Sequence, residues 1–180
     1  MKVPPSPPRY APDLSFPPYA YTGDPMPHPR NHPRGHSRDE PEEIPPALDP
    51  RSWQDSRAYL CGIDLFNHGY YWEAHEAWEG LWLAAGKKGP ISELMKGLIK
   101  LTAAGVKARQ SQPDGVRRHA VRAGDHFETT RVLVGEETFA GFSFSDLIDF
   151  SRQVGSRADD WPSHVGEEVA IVFDRCLTPK

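Results

Sequence analysis

Fifteen of the chain's 19 prolines lie in residues 1–50. Proline fixes φ and has no amide proton, so a proline every third or fourth residue forbids regular helix and central strand alike. A packed domain must therefore be built from about residue 50 onward. The rest of the 180-residue chain is long enough for one hydrophobic core. The expected division is a Pro-rich arm over residues 1–49, partly ordered, and a helical bundle over residues 50–180.

Several classes are excluded at this level. No apolar run reaches the roughly 18 residues needed to span a bilayer, and Met1-Lys2-Val3-Pro4-Pro5 lacks the apolar stretch of a secretory signal. Two cysteines, Cys61 and Cys176, make neither a disulfide framework nor a four-cysteine zinc site. The expectation is a cytoplasmic chain with reduced thiols and no membrane partner. Charge is not segregated: the first 50 residues carry 5 basic and 7 acidic groups, the remainder 16 and 18. No nucleic-acid footprint is expected from that balance, and an oligomer is left open.

From residue 49 the texture changes. Asp49-Pro50 is a helix-start signal, and Trp53, Tyr59, Leu60, Ile63 and Phe66 then recur at helical spacing. The first helix is predicted over 50–67, ending where Gly69 can take the left-handed conformation. Further helices are predicted over 70–84, from Pro90 to about Arg109, over 114–134 and over 144–158. Ala170-Ile171-Val172-Phe173 reads as a short strand or part of a last helix. The fold class is all-α, a single bundle of about five helices joined by short links.

The second helix has too little solvent face. Ala74, Ala77, Trp78 and Leu81 form an ordinary core stripe on a helical wheel. Trp72, His75, Glu76, Glu79, Trp82 and Leu83 crowd the flank, leaving only Glu73 and Gly80 on a free side. Aromatic bulk beside carboxylates favours partial dehydration, and a dehydrated carboxylate must be paired, protonated or bound to a metal. His75 and Glu79 are i and i+4, and Glu76 and Glu79 are i and i+3, so these side chains can share one ion. The pattern has the first half of the His-Glu-x-x-His metalloprotease helix, with a carboxylate for the second histidine and no third ligand identified. A protease reading is not carried over.

Each residue also has a structural reading. Glu73 is a first-turn carboxylate suited to the helix dipole. His75 can be a core histidine bonded to a carbonyl or to Glu79, and Glu76 and Glu79 can pair with lysines. On the third helix Lys96, Lys100 and Lys107 share one side, either as a solvated basic stripe or with Lys96 or Lys100 neutralising those carboxylates or holding an anion. Gly97 and Gly105 suit close approach of neighbouring helices. His119, Arg122 and His126 share a face of the fourth helix, read as surface.

The run from Phe66-Asn67 through Gly69, Tyr71, Glu73-Ala74-His75-Glu76, Glu79 and Trp82 resembles the signature of domain of unknown function 309. Gly97-Leu98-Ile99-Lys100-Leu101-Thr102-Ala103-Ala104 is similar to that family's Gly-Leu-Ile-Gln-x-Ala-Ala segment, with Lys100 where Gln is usual. Pro113-Asp114-Gly115 sits where the family turns into its next helix. The resemblance covers about residues 55–130. It implies a small all-helical bundle with no established activity, and shared residues Glu73, His75, Glu76, Glu79 and Trp82. A lysine at position 100 puts a bound cation in question. In the arm, Pro17-Pro18-Tyr19-Ala20-Tyr21, Pro27-His28-Pro29 and Gly35-His36-Ser37 look like a segment of some longer relatives. That implies an ordered stretch over residues 14–37 with His28 and His36 reaching the bundle. Two functions compete: a polar-ligand or divalent-metal site at His75, Glu76 and Glu79, with His28 or His36 completing it, and a non-catalytic protein-interaction or scaffold module in which the motif is structural.

Overall fold

The computed structural model describes residues 6–23, 25–41, 43–163, 166 and 168–180. Five helices, α1 Arg57–Asn67, α2 Tyr71–Ala84, α3 Gly89–Arg109, α4 Pro113–Val134 and α5 Phe144–Ser156, each pack on the next in sequence. The all-α expectation holds, with one addition. Strands β1 Thr138–Phe139 and β2 Phe142–Ser143 pair antiparallel between α4 and α5. Ala140 and Gly141 close this hairpin with φ of 47° and 81°, the positive values that a two-residue hairpin turn requires.

Helix α1 begins seven residues later than the Asp49-Pro50 signal implied. The Asp49 side chain accepts instead from Arg51 N at 2.9 Å, and a short 3-10 turn, Trp53–Asp55, follows. Ser56, with extended backbone, is the true N-cap, and its hydroxyl accepts from Tyr59 N. A local Asx turn won over the helix start because it satisfies the same backbone donors in fewer residues.

The core is aromatic. Trp78, Tyr59, Tyr71, Phe66, Phe127, Phe144 and Phe150 are all fully buried. Helix α3 lies between α2 and α4, and its glycines receive rings from both sides: Tyr71 of α2 fills the space above Gly105, and Phe127 of α4 that above Gly97. Close approach is therefore the reason for both glycines, as the sequence suggested. The carboxy-terminal segment around 170–173 is neither strand nor helix. It is held by side chains instead. Asn67 clamps Leu177 by accepting from its N–H at 2.7 Å and donating to its C=O at 2.8 Å. Val172 N donates to Tyr71 Oη at 3.1 Å, and Phe173 inserts among Phe66, Tyr71, Phe150 and Trp161.

The Pro-rich arm packs on α1 and α2. Proline leaves few backbone donors to satisfy, and it lowers the entropy lost on fixing an extended segment. Most donors that remain close turns within the arm, and those of Tyr10, Ala11 and Tyr21 go to helix carboxylates. Asp64 of α1, 1% exposed, accepts from Tyr10 N at 2.7 Å, Ala11 N at 2.9 Å and Arg9 Nε at 2.9 Å. Phe16 stacks on Tyr70 with ring centres 4.9 Å apart, and the Arg9 guanidinium lies over Phe16. Ala11, Ala20, Thr22, Met26 and Leu48 are buried. Contact thus reaches beyond residues 14–37 on both sides. Residues 1–5 of the arm lie outside the described residues.

Candidate functional site on helix α2

Helix α2 carries polar side chains on two faces that meet at Glu76. The first face lies under the arm. Glu73 and Gly80, which the wheel left on a free side, are both covered. Glu73 is only 6% exposed. Its Oε1 accepts from Tyr21 N at 2.8 Å and lies 3.3 Å from His36 Nε2. The other His36 nitrogen, Nδ1, is 2.8 Å from Ser37 Oγ. Gly80 faces Pro45, whose ring would crowd an added Cβ at 2.9 Å. The helix wheel could not register this cover, because the arm that supplies it has no periodicity. Glu73 does stand in the first turn of α2, as the dipole reading requires, and it also anchors the arm through Tyr21 and His36.

Arg30 of the arm reaches Glu76, Nε to Oε2 3.3 Å. His28 does not approach His75. Its ring packs edge-on against Tyr21 and Trp72, at 5.1 and 5.4 Å between centres, and its Nδ1 accepts from Arg30 N and Asn31 N. Both arm histidines reach α2, at Trp72 and Glu73. Neither belongs to the ligand group formed among the described residues by His75, Glu76 and Glu79.

That group occupies the second face. One ligand atom from each of His75, Glu76 and Glu79 lies within 4.8 Å of the others, and all three residues are half-buried. Helical spacing alone brings them together, since residues three and four apart stack on one face. Burial lowers the His75 pKa below the ordinary histidine value, Glu79 and Glu76 oppose this, and Lys100 reinforces it. The imidazole is thereby kept neutral near pH 7, the form that ligates a metal. Trp82 follows on the same face, i+7 from His75 and i+3 from Glu79. Its Nε1 is enclosed with no hydrogen-bond acceptor among the described residues, while Lys87 lies over its ring at 5.0 Å.

Lys100 does not insert between the carboxylates. Among the described residues no ion pair joins it to Glu76 or Glu79. It stands on α3 between α2 and α4, and its charge acts on His75 and on His119. The stripe shared by Lys96, Lys100 and Lys107 is only partly solvated. Lys96 pairs with Glu93 at 2.6 Å, and the same carboxyl takes His126 of α4 at 2.8 Å. His119 is half-buried; burial, then Lys100, Arg118, Arg122 and Lys107, push its pKa down to about 4.

The residues that sequence reasoning passed over are Asp64 and Arg30, while Tyr21 and Ser37 lay in the arm motifs without a role assigned to them. Asp64 gave a signal, as a lone charge between Ile63 and Leu65-Phe66 in an apolar helix. With this geometry in place the comparison with known families is specific. Residues 59–119, which run from α1 through α2 and α3 into α4, match the family described as Domain of unknown function (DUF309). The matched segment is similar to that family and contains α2 with both of its polar faces. No curated protein and no solved structure matches the chain. No helix among the described residues is long and apolar enough to cross a membrane.

Proposed function

We propose that the chain is a divalent-cation-binding protein whose ion is held by His75, Glu76 and Glu79 on α2. The observation that carries this reading is the convergence of three ligand atoms within 4.8 Å on a half-buried helix face. One imidazole with two carboxylates suits Mn, Fe or Zn over calcium, which prefers oxygen alone. Three ligands from one helix leave further coordination positions to solvent or to a small ligand. An ion with open positions lowers the pKa of bound water, which favours hydrolytic chemistry. Lys100 opposes the ion by one nearby charge and suits an anionic ligand on its open side.

The test is elemental analysis of untagged protein, followed by calorimetric titration with Mn, Fe and Zn. The expected result is one ion per chain, lost in the double variant His75→Ala with Glu79→Ala. A folded wild-type protein that takes up none of these ions would remove the reading.

A second reading is favoured by the arm contacts. Glu73 and Glu76 already have partners in Tyr21, His36 and Arg30. In this reading the motif ties the arm to the bundle, and function lies in a protein partner. Glu73→Gln would then loosen the arm, while His75→Ala and Glu79→Ala would leave both stability and partner binding unchanged.

A further inference from the structure

Glu76 belongs to both polar faces of α2, and its charge serves two partners. It converges with His75 and Glu79 on one point, and its Oε2 lies 3.3 Å from Nε of Arg30 in the arm. With His75 neutral, Glu76 and Glu79 bring two negative charges to the group. Arg30, at Glu76, and Lys100, whose charge acts on His75, bring two positive ones. Side chains alone therefore balance the group. A divalent ion at the same point adds two further positive charges, and the balance then favours loss of a neighbouring cation.

The two cations differ in how they are held. Lys100 stands on α3, which packs against both α2 and α4. Arg30 stands in a local turn of the arm. Its own amide and that of Asn31 donate to His28 Nδ1, and His32 N donates to the His28 carbonyl. The arm has other anchors on the helices: Tyr21 and His36 at Glu73, and Arg9, Tyr10 and Ala11 at Asp64. The Arg30 side chain, 35% exposed, can therefore leave Glu76 while the arm stays docked. It also has somewhere to go. Glu40 and Glu43 line the same cleft as Arg30 and, among the described residues, take part in no ion pair.

We propose that Arg30 is a side-chain counterion which a divalent ion at His75, Glu76 and Glu79 displaces from Glu76, so that the arm both senses and restrains occupancy of that site. This inference rests on the metal reading and adds its regulation. The coupling is reciprocal: the factor by which Arg30 weakens the ion is the factor by which the ion weakens the Arg30 contact. For one partly exposed, screened charge beside a ligand carboxylate that factor is roughly three- to tenfold.

The experiment is calorimetric titration of the full chain with Zn, in the wild type, Arg30→Gln and Arg30→Lys, beside NMR of the Arg30 Nε–H signal. Arg30→Gln should bind Zn roughly three- to tenfold more tightly than the wild type. Arg30→Lys, which keeps the charge, should stay close to the wild type. Zn should move the Arg30 Nε–H signal away from its bonded position while the Tyr21 amide, on Glu73, keeps its protection. Glu76→Gln should move the same signal with no metal added, which tests the Arg30 contact apart from any ion. Equal Zn affinity in the wild type and Arg30→Gln, or an Arg30 signal indifferent to Glu76→Gln, overturns the proposal and leaves the metal site standing. Zn taken up by Arg30→Gln but not by the wild type supports it. No uptake by either removes the metal reading and this inference with it.

Discussion

Replacing Asp64 with alanine removes one acceptor from three donors. In the native structure the carboxylate is 1% exposed and takes Tyr10 N, Ala11 N and Arg9 Nε at 2.7 to 2.9 Å. Arg9, whose side chain is a quarter exposed, can turn to water and contributes little to the loss. The two amides are different. If the arm stays docked, each buried N–H without a partner costs about 1–3 kcal/mol, or about 2–6 kcal/mol together. The arm can also let go, and the loss then stops at the free energy of docking. Amide hydrogen exchange with thermal unfolding separates these outcomes. A docked arm gives a large stability loss with Tyr10, Ala11 and Tyr21 still protected. A released arm gives a smaller loss, with those amides exchanging freely while α3 stays protected. The control is Asp13→Ala, which removes the Arg57–Asp13 pair at 2.6 Å, both partners more than half exposed. Pairs of that kind contribute about 0–1 kcal/mol. Asp64→Ala as harmless as Asp13→Ala, with unchanged exchange in the arm, would refute the reasoning that buried carboxylates anchor the Pro-rich segment.

Three further outcomes are expected. Gly105→Ala gains about 1 kcal/mol of helix propensity but sets a methyl 2.5 Å from the buried Tyr71 ring, so overpacking of about 1–3 kcal/mol should lower the melting temperature despite the better helix former. His119, depressed to about 4 from 6.5, is neutral in the fold while the unfolded chain takes up a proton below pH 6.5. Stability should therefore fall between about pH 6.5 and 4, by about 1 kcal/mol after solvent screening of the half-exposed ring, and denaturant melts of His119→Gln should lack this component. Lys100→Gln removes the charge opposing a cation at His75, and calorimetry should show a roughly two- to fivefold gain in metal affinity.

The helices were legible from periodicity and punctuation. Gly69, Gly135 and Ser143 stand where α1, α4 and α5 end or begin, and Gly97 and Gly105 do admit rings from neighbours. The start of α1 was not legible, since Asp49 serves a local turn as well as it would a helix. The His75, Glu76 and Glu79 group was legible because helical spacing alone sets it. The cover over Glu73 was not, because irregular segments meet a helix through tertiary contacts that leave no period in the chain. The carboxy-terminal segment escaped for the same reason: Asn67 and Tyr71 hold its backbone with side chains 101 to 110 residues away.

The central claim concerns one point beside α2, where His75, Glu76 and Glu79 turn their ligand atoms toward each other. Anomalous diffraction from crystals grown with Mn or Zn tests it most directly. The predicted result is a single strong peak about 2.0–2.3 Å from a His75 ring nitrogen and from carboxylate oxygens of Glu76 and Glu79. A well-ordered α2 with no peak at that point contradicts the claim.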